Sequence, residues 1–207
     1  MKKIDGVLMD EGVLHIRKAL ADYEPIITDW DKPVIREFDG KKVVGRPTKA
    51  YGTKSFEYAG KLYKPEPWSE SMSILKMATQ LLVYKELNKI VKFNFCLCGL
   101  YKDGSVSIPH HSDTVPTLDD IVVSVSFGVD RIFKLKTYLH PIKEKVDTSE
   151  LLEGYEKHLN NKKSYLLQHG DVIIFDGRSQ MKSTHAIERN DKIKGSRMNL
   201  TFRTGLW

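Results

Sequence analysis

Apolar and polar residues alternate strictly along SRMNLTFR, residues 196–203. On an extended strand Met198, Leu200 and Phe202 point one way, while Arg197, Asn199, Thr201 and Arg203 point the other. Short β-prone runs of the same kind recur from Val91 onward: VKFNFCLCGLY, DIVVSVSF, RIFKLK, SYLLQ and DVIIF. Asp103-Gly104, Gly128, Gly170-Asp171 and Gly195 punctuate them as turn signals. Strands at such close spacing predict a sandwich or jelly roll rather than a parallel α/β sheet.

Upstream the period changes. Val13, Leu14, Ile16, Ala19 and Leu20 recur at helical spacing and predict a first short amphipathic helix. SESMSILKMATQLLVYKELN opens on Ser69 as an N-cap and predicts a longer helix, with Met72, Leu75, Met77, Ala78, Leu81 and Leu82 on one side. VIREFDGKKVV carries two β-prone arms around Asp39-Gly40, a two-residue hairpin signal. SELLEGYEKHLNNKK, with Leu151, Leu152, Tyr155 and Leu159, predicts a short helical insertion between strands, within a stretch 139–161 that reads as an insertion. No repeat and no linker divides the chain, so a single domain over 1–207 is expected, with 1–92 as an N-terminal extension over a core formed by 93–207.

Composition adds few constraints. The 207 residues carry a net charge of +6, which suits a polyanionic partner without identifying one. No apolar run is long enough to cross a membrane, and MKKIDGVLMDEG lacks the apolar stretch of a signal peptide. The expectation is an intracellular monomer in a reducing compartment (cytoplasm or nucleus), not a secreted protein. Cys96 and Cys98 then read as two buried structural thiols on one face of a strand, too close for an unstrained disulfide.

Chemistry enters with SIPHHSDTVP. His111 and Asp113 stand at i and i+2, so both side chains leave the same face of a strand. An imidazole beside a carboxylate makes two-thirds of the 2-His-1-carboxylate triad that holds non-haem Fe(II) with open positions; alone, the pair reads more simply as a solvated loop. The triad needs a second histidine from another strand, and DVIIFDGRSQMKSTHAIE supplies His185. His15, His140, His158 and His169 read more simply as surface or structural residues.

The two arginines of the opening stretch fit that site. Six residues apart, Arg197 and Arg203 have Cα atoms ~20 Å apart on a strand. Leaning inward, their tips could approach to ~8 Å, near the length of a five-carbon dicarboxylate. Arginines facing into an apolar barrel are costly unless an anion meets them, and a carboxylate does so bidentately. An exposed polar strand face is the competing reading. Taken together, H-x-D, a distant His, and arginines 12 and 18 residues after it follow the order expected of an Fe(II)/2-oxoglutarate oxygenase. The fold class expected is α+β, mainly β: a double-stranded β-helix (jelly roll) core with N-terminal helices and a hairpin covering one face.

The chain also resembles the AlkB-like dioxygenases, nearest the branch that repairs alkylated bases in duplex DNA. GRPTKAYG, YAGKLYKPEPW, FNFCLCGLYKDGSVSIPHHSD, VSVSFG, the Gln180–His185 spacing and RMNLTFR carry the resemblance, the last most specifically. It implies His111, Asp113 and His185 as iron ligands, and Tyr101, Arg197, Asn199 and Arg203 as 2-oxoglutarate contacts. It further implies oxidative demethylation of N-alkylated nucleobases such as 1-methyladenine and 3-methylcytosine in DNA or RNA. That reaction consumes O2 and 2-oxoglutarate and releases formaldehyde, succinate and CO2. The target base must first leave the stack, which gives 1–92 a nucleotide-recognition role. Tyr51 falls where the family places an aromatic near the flipped base, with a core tyrosine as the alternative. Phe38 resembles an apolar wedge on a hairpin finger. Arg36, Lys41, Lys42, Arg46 and Lys49 form a candidate phosphate-contacting patch around that finger.

The sequence departs from the family at several points. Gly99 stands where the family has an Asn contacting 2-oxoglutarate. Thr114 and Val115 follow H-x-D in place of an acidic residue that helps read the base, which leaves the accepted base open. Ser183 replaces an aromatic. Two other functions remain as alternatives: a 2-oxoglutarate-dependent hydroxylase or demethylase of a protein or small molecule, and a nucleic-acid-binding protein without turnover.

Overall fold

The structure is a computed structural model that describes residues 6–9, 12–33, 35–38, 41–58, 61–113, 121–144 and 150–205. In chain order the strands are β1 (Gly6–Met9), β2 (Val13–Ile16), β3 (Ile35–Phe38), β4 (Lys41–Val44), β5 (Thr48–Gly52), β6 (Phe56–Tyr58) and β7 (Lys61–Tyr63). After the helix α1 (Glu70–Leu87) come β8 (Phe95–Tyr101), β9 (Ile108–His111), β10 (Val122–Gly128) and β11 (Arg131–Tyr138). The last strands are β12 (Leu159–Leu167), β13 (Val172–Phe175), β14 (Ser183–Ile187) and β15 (Arg197–Arg203). Eleven of them form two antiparallel sheets in a jelly-roll-like arrangement, and β3-β4 and β6-β7 form separate two-stranded hairpins. One sheet has seven strands in the order β1-β2-β13-β10-β15-β8-β5, the other four in the order β12-β11-β14-β9. The seven-stranded sheet does not stop at residue 93, because β1, β2 and β5 complete it from the N-terminal part.

Alternation sorts the seven-stranded sheet into two faces. Val123, Val125, Phe127, Leu200 and Phe202 pack with Met72 and Leu75 of α1 in the larger core. The opposite face, with Val122, Ile173 and Phe175, packs on Phe133, Leu135 and Ile187 of the smaller sheet. Cys96 and Cys98 lie fully buried on the α1 side with sulfurs 3.9 Å apart, as free thiols.

Two helices expected from periodicity are strands. Residues 13–16 form β2, hydrogen-bonded to β1 and β13, and all four are buried. An element buried on every side has no polar face to set a helical period, and β-branched Val13 and Ile16 favour the pleat. Residues 159–167 form β12, which alternates half-buried and exposed positions as it pairs along β11; one turn of 3-10 helix, Tyr155–His158, precedes it. The helix α1 does form, with the Ser69 hydroxyl accepting the Met72 N–H at 3.3 Å and Asn88 closing it in the left-handed region. Its buried residues are Met72, Leu75, Thr79, Leu82 and Val83, whereas Met77 and Leu81 face outward. The expected hairpin is present as β3 paired with β4, Phe38 opposite Lys41; its Asp39-Gly40 turn and the Phe38 side chain lie outside the described residues.

A buried carboxylate ties the rim of the large sheet together. Asp171 accepts His15 Nε2–H at 2.8 Å and the N–H groups of Lys18 and Gln168 at 2.8 and 3.0 Å. Burial opposes its ionisation, but the bonds from His15, Gln168 and Lys18 win and hold its pKa below the ordinary carboxylate value. A depressed folded-state pKa contributes stability above the unfolded value, and that stability is lost as pH falls through the acid range. Asp171→Asn should therefore destabilise the fold by about 2–3 kcal/mol in urea unfolding at neutral pH. It should also flatten the acid limb of the stability profile, and an unchanged limb would rule out this role.

Candidate metal and cosubstrate site

The smaller sheet brings the sequence-selected histidines together. β14 pairs antiparallel with β9, and His185 stands directly opposite His111. Their ring centroids are 4.3 Å apart. Asp113 follows two residues beyond His111, its N–H donating to Gln180 Oε1 at 2.7 Å while Ser112 Oγ donates to the Gln180 carbonyl. The donor atoms of His111, Asp113 and His185 all lie within 4.8 Å of one another, near the separation that ligands ~2.1 Å from one ion permit.

Protonation states suit a cation. His111 Nδ1–H donates to the Pro109 carbonyl at 2.9 Å, which leaves the Nε2 lone pair 3.6 Å from Asp113 Oδ1. His185 is buried beside Phe133 and Phe175, with centroids 5.5 and 5.1 Å away. Burial, reinforced by the neighbouring His111, pushes its pKa down to about 3, so the ring is neutral. Burial by itself would raise the Asp113 carboxyl, but the Arg203 guanidinium overcomes that and holds it well below the usual range. Two imidazoles and one carboxylate are the donor set that suits Fe(II) while leaving coordination positions open.

The polar face of β15 continues from this cluster. Arg203 Nη2 donates to Asp113 Oδ2 at 2.7 Å. At the other end Arg197, 1% exposed, donates from Nη2 to Ser126 Oγ and Asn199 Oδ1, both at 2.8 Å. Asn199 also accepts Ser124 Oγ–H and donates to Thr201 Oγ1, each at 2.9 Å. Both guanidiniums are therefore inside, but in different circumstances. Arg203 is spent on a ligand carboxylate, while Nε and Nη1 of Arg197 meet no partner among the described residues. Burial lowers the Arg197 pKa to about 10, the Tyr101 hydroxyl opposes that, and Arg131 and Arg46 add to it.

Three substrate-side candidates turn inward. Tyr51 does not face the metal cluster: alternation in β5 turns it to the α1 side, 5% exposed and stacked on Trp68 at 6.4 Å. Burial raises its hydroxyl pKa to about 12. Lys49 is no surface cation but is buried, ion-paired with Glu66 and bonded to the Asp29 carbonyl. Arg46 turns inward toward Tyr101. The side chains of Arg36, Lys41 and Lys42, and the segment 114–120 after H-x-D, lie outside the described residues.

Three contributors escaped the sequence reading. Arg131 is fully buried and donates to the carbonyls of Asp103, Val106 and Glu188. Lys143, from the 139–161 stretch, donates to the Ser112 carbonyl at 3.2 Å, and burial lowers its pKa to about 8 against the pull of Asp113. The outer side of the smaller sheet forms a groove of about 630 Å³ with Lys134, Lys136, Lys162, His110 and Arg189 on its walls. Its signal was the alternation of RIFKLK, in which the lysines are the outward residues.

Known proteins agree with this geometry. Residues 6–203 match the 2OG-Fe(II) oxygenase superfamily. "Alpha-ketoglutarate-dependent dioxygenase alkB homolog 3" of Bos taurus is 28% identical over 206 residues, 97% of this chain and 66% of that protein. "DNA oxidative demethylase ALKBH2" of Arabidopsis thaliana is 30% identical over 199 residues, 88% of this chain and 60% of that protein. The chain thus spans less than two thirds of the length of either relative. The solved structure of OsALKBH1 superposes with a TM-score of 0.56 at 19% identity, over 96% of this chain and 99% of that one, and so shares the fold.

His111→Ala should weaken divalent-metal binding by about a hundredfold or more in a Mn(II) titration, as expected when one of three ligands is removed. The side chain is 27% exposed, so unfolding of the metal-free protein should shift by less than about 1 kcal/mol. Retained affinity would place the metal elsewhere.

Proposed function

The chain belongs to the AlkB-like branch of the 2OG-Fe(II) oxygenase superfamily, and we propose that it oxidatively demethylates N-alkylated bases in nucleic acid. The observation that carries the reading is the cluster of His111, Asp113 and His185 at the β9–β14 pairing, joined through Arg203 to the buried polar face of β15. His111, Asp113 and His185 would hold Fe(II), which with O2 and 2-oxoglutarate supplies the oxidising power that turns an N-methyl into an N-hydroxymethyl group. That group then falls apart to formaldehyde and the free base nitrogen, while 2-oxoglutarate leaves as succinate and CO2.

The chain's own groups prepare that chemistry. The Pro109 carbonyl fixes the His111 tautomer, and Gln180 together with Lys143 holds the 112–113 backbone that aims the carboxylate. Arg203 engages one Asp113 oxygen and keeps the carboxylate ionised and oriented. Arg197 offers unspent N–H groups to the far carboxylate of a keto diacid. Phe133 and Phe175 keep water from the His185 side.

Nucleic acid as substrate rests on different support. The Arabidopsis relative is by name a DNA oxidative demethylase. The net charge of +6 and the lysine-walled groove suit a phosphate backbone. Incubation with Fe(II), 2-oxoglutarate and oligonucleotides bearing 1-methyladenine or 3-methylcytosine should release formaldehyde in step with succinate. Succinate without formaldehyde from any methylated DNA or RNA, single- or double-stranded, would leave the oxygenase standing and remove the nucleobase substrate.

A further inference from the structure

Gly99 lies in β8 between Thr48 of β5 and Asn199 of β15, on the face that meets the smaller sheet. A Cβ built there would come within 2.9 Å of Arg46 Cδ and 3.2 Å of Arg46 Cζ, and closer still to Nε. The Arg46 side chain thus lies across the glycine, in the volume that any larger residue at 99 would need. Its Cζ is 5.2 Å from the centre of the Tyr101 ring, and that of Arg197 is 5.0 Å from the same ring. Arg46 Nε, like Nε and Nη1 of Arg197, is buried and meets no hydrogen-bond partner among the described residues.

A third guanidinium, Arg131, also touches Tyr101, but its charge is spent on three backbone carbonyls. Arg197 is answered only in part, by Ser126 and Asn199, and Arg46 keeps its Nε without a partner among the described residues. Two like charges beside one ring, with buried donors left over, are unfavourable unless an anion meets them. A carboxylate is the matching acceptor, because each of its oxygens can take N–H groups from a different guanidinium.

We propose that Arg46 is a cosubstrate-binding residue: its guanidinium fills the place of the side chain that position 99 lacks and, with Arg197, receives the metal-distal carboxylate of 2-oxoglutarate. This rests on the oxygenase reading above and replaces the expectation that Arg46 contacts nucleic-acid phosphate. It also makes positions 46 and 99 interdependent, since an inward arginine requires glycine beneath it.

The test is an anaerobic titration of the Fe(II)-loaded chain, followed by the visible charge-transfer band of a chelated keto acid. 2-Oxoglutarate is compared with 2-oxobutyrate, which lacks the distal carboxylate. Arg46→Ala should bind 2-oxoglutarate about tenfold more weakly or worse, yet bind 2-oxobutyrate as the unaltered chain does. Gly99→Asn alone should weaken 2-oxoglutarate, and Arg46→Ala/Gly99→Asn should bind it more tightly than either single variant, a non-additivity expected of residues in contact. Unchanged 2-oxoglutarate affinity in Arg46→Ala would overturn the proposal, and a simultaneous loss of oligonucleotide affinity would return Arg46 to phosphate contact. Equal weakening toward both keto acids would overturn it too, marking a merely structural arginine. No band from the unaltered chain with either keto acid would remove the oxygenase reading and this proposal with it.

Discussion

Burial of positive charge by one strand governs the rest of this structure. β15 lies in the middle of the seven-stranded sheet, so its apolar face is committed to the α1 side and its polar face to the space between sheets. Arg197 and Arg203 are therefore almost wholly removed from water. Each must be answered by negative charge or by polar groups, because an unpaired buried guanidinium is strongly unfavourable. Asp113 answers Arg203 directly. Ser126 and Asn199 answer Arg197 only in part.

That asymmetry links metal and cosubstrate. Arg203 stabilises the ionised carboxylate that stands between the two imidazoles, so the charge needed by the cation is present beforehand. The neutral His185 follows from the same interior, since the burial that would penalise an imidazolium leaves its lone pair available. At the far end the deficit falls at Arg197 and Arg46 around Tyr101, where a carboxylate is the natural complement. A keto diacid has one end for each region.

Much of this was legible in the sequence, for physical reasons. A period of two is unambiguous over seven residues, so the faces of β15 followed directly from RMNLTFR. The i, i+2 spacing of His111 and Asp113 similarly set them on one side, and pairing with β14 supplied His185. Other features were not legible. Residues 13–20 contain apolar positions compatible with a helix, and the partners that make 13–16 a buried strand, β1 and β13, are distant or follow a separate turn. Apolar residues on both sides of α1 blurred the choice of buried face, so Met77 and Leu81 were misassigned. Tyr51, Arg46 and Lys49 depended on which way an edge strand alternates and where long side chains fold back. Composition carries no information on either point.

The central claim is that one interior pocket holds a metal on His111, Asp113 and His185 and a keto diacid reaching toward Arg197. The most direct measurement is a crystal structure of the chain with Mn(II) and N-oxalylglycine, an unreactive analogue of 2-oxoglutarate, using anomalous scattering to locate the metal. The account predicts one manganese bound by those three side chains, with the analogue chelating it and its far carboxylate against the Arg197 guanidinium. A manganese peak away from the triad, or an analogue carboxylate turned from Arg197 toward solvent, would contradict it.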